Sequence, residues 1–290
     1  MTDINSIISP SAADNFCCHA AEQKWQHLLQ YLRSHAADGL LVALSGGVDS
    51  AVLLSAAQHA GITPLRSASI NSCFITTDEL ENARAVAKFV NVPHSVLTLD
   101  ILSLSQIVNN SPERCYHCKL AMYTALSEHS REHHLYRLAD GGTAADTLCY
   151  RPGQRAAQEL DILQPLSACA LSKDEIRYLA HKLQLPNAHR PSAACLATRF
   201  PYNCHLDEKM LQQVEQAEQI IRELGFDELR VRVHGDLVRL EIPDEQLPRL
   251  IGYRRQVSTA LRELAYKYIT IDLDGLIHGR FDTTLDKELT

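Results

Sequence analysis

Leu40-Leu41-Val42-Ala43-Leu44-Ser45-Gly46-Gly47-Val48-Asp49-Ser50 is an apolar run that breaks into a small-residue turn, after which Ala51-Val52-Leu53-Leu54 restores the apolar character. The leading stretch, Leu40 to Leu44, predicts a strand buried on both faces of a parallel sheet, and the alanine- and leucine-rich residues after Asp49 predict a helix. Between them lies an anion site. Gly46 and Gly47 carry no Cβ, so the chain can turn tightly and bring backbone N–H groups close to a phosphate, to which the following helix adds its positive N-terminal end. Ser45 and Ser50 supply hydroxyls, and Asp49 a carboxylate for Mg²⁺ or for orienting a neighbouring loop.

The loop lacks the Gly-Lys-Ser/Thr of a Walker sequence, and with it the lysine that reaches the β- and γ-phosphates. Ser45-Gly46-Gly47-Val48-Asp49-Ser50 instead resembles the PP-loop of N-type ATP pyrophosphatases. That resemblance implies cleavage of ATP to AMP and pyrophosphate, with the AMP used to activate a substrate oxygen.

The 290 residues suffice for two domains with sizeable cores. A net charge of −7 gives no general attraction to polyanions, so no nucleic-acid partner is expected. No apolar run reaches membrane-spanning length and no signal-peptide pattern opens the chain, so no membrane partner is expected and the protein is placed in the cytoplasm. Nine scattered cysteines fit a reducing compartment that keeps them as thiols.

Outward from the loop, residues 1–19 read as a flexible leader, and Trp25, Leu28, Leu29 and Leu32 mark the stripe of an amphipathic helix from Ala20 to Ala37 that packs on the sheet. Strands over Pro64–Ile70, His94–Leu99 and Leu135–Ala139 alternate with helices, the first of them over Thr77–Val90. The pattern is α/β: a doubly wound parallel sheet over residues 20–205. In such a sheet the ligand lies beyond the carboxyl ends of the strands, which places Ile70 and Asn71 against the adenine and Asp140-Gly141-Gly142-Thr143 across the same crevice, with Gly142 among the ATP-binding residues. Ser172-Lys173-Asp174-Glu175 is a capping box opening a helix that runs to about Leu185. Residues 206–290 read as a smaller α+β domain: a helix over Leu206–Leu224, a hairpin turning at Gly235-Asp236, helix over Asp244–Ala265, and a last strand at Tyr268–Leu273.

Arg114-Cys115-Tyr116-His117-Cys118-Lys119 carries the second signal. On a helix Cys115 and Cys118 share a face, and Arg114 and Lys119 are expected to lower their thiol pKa values. One Cys-x-x-Cys by itself fits a redox pair or half a zinc site, but no second pair follows. Cys195 stands in an irregular stretch between His189 and His205, and three convergent thiolates can ligate three irons of a [4Fe–4S] cluster, leaving the fourth for an exchangeable sulfide. Cys17, Cys18, Cys73, Cys149, Cys169 and Cys204 read as ordinary thiols or packing, with a resolving role toward Cys195 the lesser alternative for Cys204.

Together the PP-loop, Pro112 to Lys119, Tyr150-Arg151-Pro152-Gly153, Leu171 to Arg177, Arg190 to Arg199 and Arg230 to Gly235 resemble the LarE-type ATP-dependent sulfur transferases over nearly the whole chain. The resemblance implies adenylation of a carboxylate on a pyridinium mononucleotide, followed by sulfur insertion. The sulfur comes either from a sacrificed cysteine at the position of Cys195, left as dehydroalanine, or from a [4Fe–4S] cluster on Cys115, Cys118 and Cys195. All three cysteines are present, which points to the cluster version. Arg199, Arg232 and Arg280 are the expected substrate-binding residues, the cofactors are ATP, Mg²⁺ and the cluster, the partners are a heteroaromatic acceptor and a sulfur donor, and the family's multimers imply a homo-oligomer. Ile277 stands where the family has an arginine expected to bind the substrate phosphate. A phosphate-free acceptor, such as the guanine of related enzymes that form 6-thioguanine, is the second expectation. A PP-loop amide-forming synthetase using ammonia, a tRNA thiolase and a non-catalytic nucleotide or iron–sulfur regulator are the competing readings.

Overall fold

β1 (Leu40–Ala43) is the axis of a sheet ordered β3-β2-β1-β4, with β2 at Leu65–Asn71, β3 at His94–Thr98, β4 at Leu138–Ala139 and every pairing parallel. The structure is a computed structural model that describes residues 12–143, 152–191 and 194–277, with side chains from His19 onward. Both faces of β1 are covered, because Leu40 and Val42 enter one apolar cluster and Leu41 another. α2 (Val48–His59), α3 (Thr77–Val90) and α8 (Lys173–Lys182) belong to the first cluster, and α5 (Arg114–Glu132) and α6 (Pro152–Glu159) to the second. The doubly wound sheet expected from the sequence is thus present. The chain winds from β1 through β2 to β3 on one side and returns to place β4 on the other, so the order reverses beside β1, where α/β sheets bind ligands.

α1 (Ala12–His35) starts eight positions before the expected Ala20, so residues 12–19 are helical where a leader was expected. Its buried Leu28, Leu29 and Leu32 pack on α2, α8 and the short α7 (Pro165–Ala168); the stripe meets helices first. The capping boxes of α3 and α8 are complete, with Thr76 paired to Glu79 and Ser172 to Glu175, and each fixes where its helix begins. β4 is only two residues long, because Leu135 serves as core and not as ladder.

After α4 (Ser105–Val108), α5 and the 3₁₀ turn Leu196–Arg199, the C-terminal part contributes α9 (Glu208–Glu223), β5 (Arg230–His234), β6 (Leu237–Glu241) and β7 (Tyr268–Ile271). β5 and β6 form the expected hairpin, and β7 joins β6 in parallel. The helix expected over Asp244–Ala265 is divided into a 3₁₀ turn, α10 (Leu247–Gly252) and α11 (Arg254–Glu263), with Pro248 in the first turn of α10. One apolar cluster joins α9, β5 and β6 to Phe74, Ile101, Ile107, Leu196 and Phe200, so a single core spans position 205.

Candidate active site

Ser45 to Ser50 form a loop closed on itself by hydroxyls. Ser45 N–H donates to Ser50 Oγ at 3.2 Å, the two hydroxyls lie 3.2 Å apart, and Ser50 Oγ donates to the Gly47 carbonyl at 3.1 Å. Gly46 has φ +80° and is backed by the Glu79 carbonyl, only 2.2 Å from where a Cβ would stand, so no larger residue fits. Gly47 caps α2 with no side chain on the helix N–H groups, which leaves that end available to an anion. Val48 and Asp49 are its first helical residues, and Asp49 forms an ion pair with Lys173 at the start of α8.

β2 outruns β1: the last pair is Ala43 with Ala68, and Ser69, Ile70 and Asn71 extend past it over the loop. Ile70 is buried, and Asn71 opens onto a cavity of about 360 Å³ together with Cys73, Leu99 and Glu215. On the other side Gly141 is pressed against Ser50, and Gly142 N–H donates to Asp140 Oδ1 at 2.9 Å, so Gly142 builds the turn that faces the loop. Asp140 also accepts from Tyr123 and lies 3.6 Å from Lys119 Nζ, which ties α5 to the same strand edge.

The first turn of α5 carries Cys115 and Cys118 and is clamped by α6, where the Arg155 guanidinium stacks 3.6 Å over Tyr116 and donates to Glu113 at 2.8 Å. Arg114 is buried, donates to Cys115 Sγ at 3.2 Å and is held protonated, against the cost of its burial, by Cys195 and Cys115. The Cys118 thiol pKa is raised where a lowered one was expected. Burial pushes Cys118 up to about 12, reinforced by Cys195 and Cys115, because the helix turns it into the apolar cluster and Lys119 points to Asp140 instead. Enclosure also pushes the Cys195 thiol up, against the pull of Arg114 and Arg199.

The three cysteines are brought near one another, yet their donors are otherwise engaged: Cys118 Sγ contacts Met122 Sδ at 3.7 Å and a guanidinium occupies the approach to Cys115. Among the described residues no group of three His, Cys, Asp or Glu side chains is arranged to hold a metal ion. Cys115, Cys118 and Cys195, the expected [4Fe–4S] ligands, thus lie around the Arg114 guanidinium, which donates to Cys115 Sγ.

Cys195 is held by its own loop. Leu196 N–H donates to the Phe74 carbonyl beyond β2 at 3.1 Å, and Arg199 Nη1 donates to the Ala194 carbonyl at 2.8 Å. Arg199, expected to bind substrate, is 3% exposed and paired through two bonds to the fully buried Glu218 of α9, at 2.7 and 3.0 Å. Arg232, also expected there, is buried with Glu241 at 3.0 Å and donates to the Thr198 carbonyl. Both guanidinium groups tie the Cys195 loop to the C-terminal part. Arg280 lies outside the described residues. A cleft of about 310 Å³ is lined by Ala194 and Arg199 together with His189, Arg190, Arg222, Arg230 and Leu276.

A relative from Lactiplantibacillus plantarum, a pyridinium-3,5-bisthiocarboxylic acid mononucleotide synthase, is 32% identical over 247 residues, covering 85% of this chain and 90% of its own. The chain belongs to the LarE family. An uncharacterized protein of Synechocystis sp. is 30% identical across 92% of this chain and 99% of its own length. The asparagine synthase family matches residues 32–145, the segment with the PP-loop. An NH(3)-dependent NAD(+) synthetase of Carboxydothermus hydrogenoformans is 36% identical over 104 residues, 32% of this chain and 42% of that protein. This LarE relative is accordingly an ATP-dependent PP-loop enzyme. Sequence reasoning missed Lys173 and Asn187 as loop contacts. Lys173 was legible only as part of a capping box, and Asn187, whose Nδ2 donates to the Gly46 carbonyl at 2.8 Å, had no signal beyond the turn marked by Pro186.

Proposed function

We propose that this chain is an ATP-dependent sulfur transferase whose acceptor is a pyridinium carboxylate mononucleotide and whose sulfur comes from Cys195. A carboxylate oxygen of the acceptor attacks the α-phosphorus of ATP and pyrophosphate leaves toward the PP-loop amides and the N-terminus of α2. Mg²⁺ arrives with the nucleotide, and Asp49 is the carboxylate beside the loop suited to it. The Cys195 thiolate then attacks the activated carbonyl carbon and displaces AMP, giving a thioester. Loss of the Cys195 Cα proton breaks the Cβ–S bond, leaving dehydroalanine in the chain and a thiocarboxylate on the product.

The observation that carries this reading is Cys195, set between Arg114 and Arg199 on a loop anchored beyond β2, in a chain 32% identical to a thiocarboxylate-forming synthase. Its neighbouring guanidinium groups favour the thiolate that enclosure disfavours. Arg190, Arg199, Arg222 and Arg230 line the adjoining cleft beside Asp78, Asp227 and Glu228, and these guanidinium groups are the candidates to meet an acceptor phosphate where Ile277, next to the cleft residue Leu276, departs from the family.

The test incubates the protein with Mg-ATP and either the pyridinium dicarboxylate mononucleotide or guanine, following pyrophosphate release and the intact mass. Release with the mononucleotide, accompanied by loss of H₂S mass from the peptide containing Cys195, is expected. Release with guanine alone transfers the acceptor to the purines. Turnover with Cys195 intact removes the sacrificial route, and ammonia-dependent turnover without thiolation returns the chain to the amide-forming synthetases.

A further inference from the structure

The peptide between Gly46 and Gly47 joins two residues without Cβ atoms, so it is the part of the phosphate loop freest to rotate. In this structure it is trapped from outside. Asn187 Nδ2 donates to the Gly46 carbonyl at 2.8 Å from a turn 141 residues away in sequence. That turn is itself rigid: Ala188 N–H donates to the Leu185 carbonyl at 3.1 Å, Arg190 N–H to the Asn187 carbonyl at 3.0 Å, and Leu185 and Ala188 are buried. The orientation of the Asn187 amide is unambiguous, because a carbonyl partner requires the NH₂ end.

In a trans peptide the carbonyl and the N–H point in opposite directions. Holding the Gly46 carbonyl toward Asn187 therefore aims the Gly47 N–H into the hollow of the loop, where it makes only a long 3.4 Å contact with Ser45 Oγ. Asn187 is 1% exposed, yet its Oδ1 has no hydrogen-bond partner among the described residues. A buried amide with an orphan oxygen is a poor stabiliser of the fold, since the unmet acceptor offsets the one bond made.

We infer that Asn187 is a positioning residue for phosphate binding, which acts by locking the Gly46–Gly47 peptide so that the Gly47 N–H faces the pyrophosphate moiety of ATP. This rests on the loop being the ATP phosphate site and is independent of the acceptor. Glu79, whose carbonyl backs Gly46, limits the same glycine from the other side, so α3 and the turn after α8 together set the loop's conformation.

The test is calorimetric binding of Mg-ATP and of Mg-pyrophosphate to the full chain and to its Asn187→Asp and Asn187→Leu variants, which keep the side chain's branching and remove the amide donor. Both ligands are expected to bind about 10-fold more weakly, the equivalent of one lost buried hydrogen bond, with the acceptor KM unchanged. Unchanged affinity in folded variants, or ATP and acceptor KM rising together, overturns the inference. Glycine-labelled wild-type protein gives a readout that needs no variant: pyrophosphate should shift the Gly47 amide proton downfield, and an unmoved Gly47 resonance in the complex overturns the inference as well. Wild-type protein that binds neither ligand overturns the ATP-site reading itself.

Discussion

Removing the charge of Glu218 should destabilise the protein far more than loss of a surface ion pair. Glu218 is fully buried and accepts from Arg199 at 2.7 and 3.0 Å, from Arg222 at 2.8 Å and from Val231 N–H at 3.1 Å. Glu218→Gln keeps the shape but leaves Arg199, 3% exposed, without a counter-ion, which costs about 3–5 kcal/mol. For 290 residues the unfolding entropy is about 0.6 kcal/mol/K, so Tm should fall by about 5–8 °C in a calorimetric scan. Burial opposes ionisation of Glu218, but Arg199 and Arg222 overrule it and hold its carboxyl below the usual range. A carboxyl depressed on folding contributes stability above its unfolded pKa and loses that contribution as pH falls through the folded one. The wild-type and variant Tm curves should therefore lie apart at pH 7 and converge in acid. Since Arg199 also grips the Ala194 carbonyl, Cys195 in the variant should react faster with iodoacetamide. The Arg199→Met/Glu218→Leu double variant should recover most of the stability, as buried pairs replaced by apolar residues do. A single variant within about 1 kcal/mol of wild type, or a double variant no better than the single, would refute the reasoning.

Lys173→Met should raise the ATP KM about 10-fold in pyrophosphate-release assays, because it removes the cation paired to Asp49 in the first turn of α2; an unchanged KM would detach Lys173 from the site. Cys118, pushed up to about 12 by burial, should alkylate more slowly than an exposed cysteine at pH 8.5 and gain about tenfold in rate per pH unit toward pH 11. Its thiol favours the folded state below the unfolded pKa and loses that preference as pH rises through the folded one, so base should destabilise the protein over the same window; a flat alkylation profile would contradict its burial.

Local chemistry made much of this protein readable in one dimension. The run from Leu40 to Ser50 determined a buried parallel strand, a phosphate loop and a helix, because uniform apolarity, paired glycines and alanine-rich continuation each have one low-energy reading in that order. Ser172 announced its helix through a side chain that bonds within a single turn, and Cys115 and Cys118 share a helix face by spacing alone. The pKa values and partners of the same residues depend on neighbours distant in the chain. Spacing placed two cationic side chains beside the thiols, whereas packing sent Lys119 to Asp140 and Cys118 into an apolar cluster, reversing the expected thiol shift. The carboxylates paired with Arg199 and Arg232, Glu218 and Glu241, are brought to them by α9 and β6, which no local pattern announces. Asn187 touches Gly46 only because α8 returns the chain to the loop, a contact made by tertiary closure across 141 residues and carried by no local pattern.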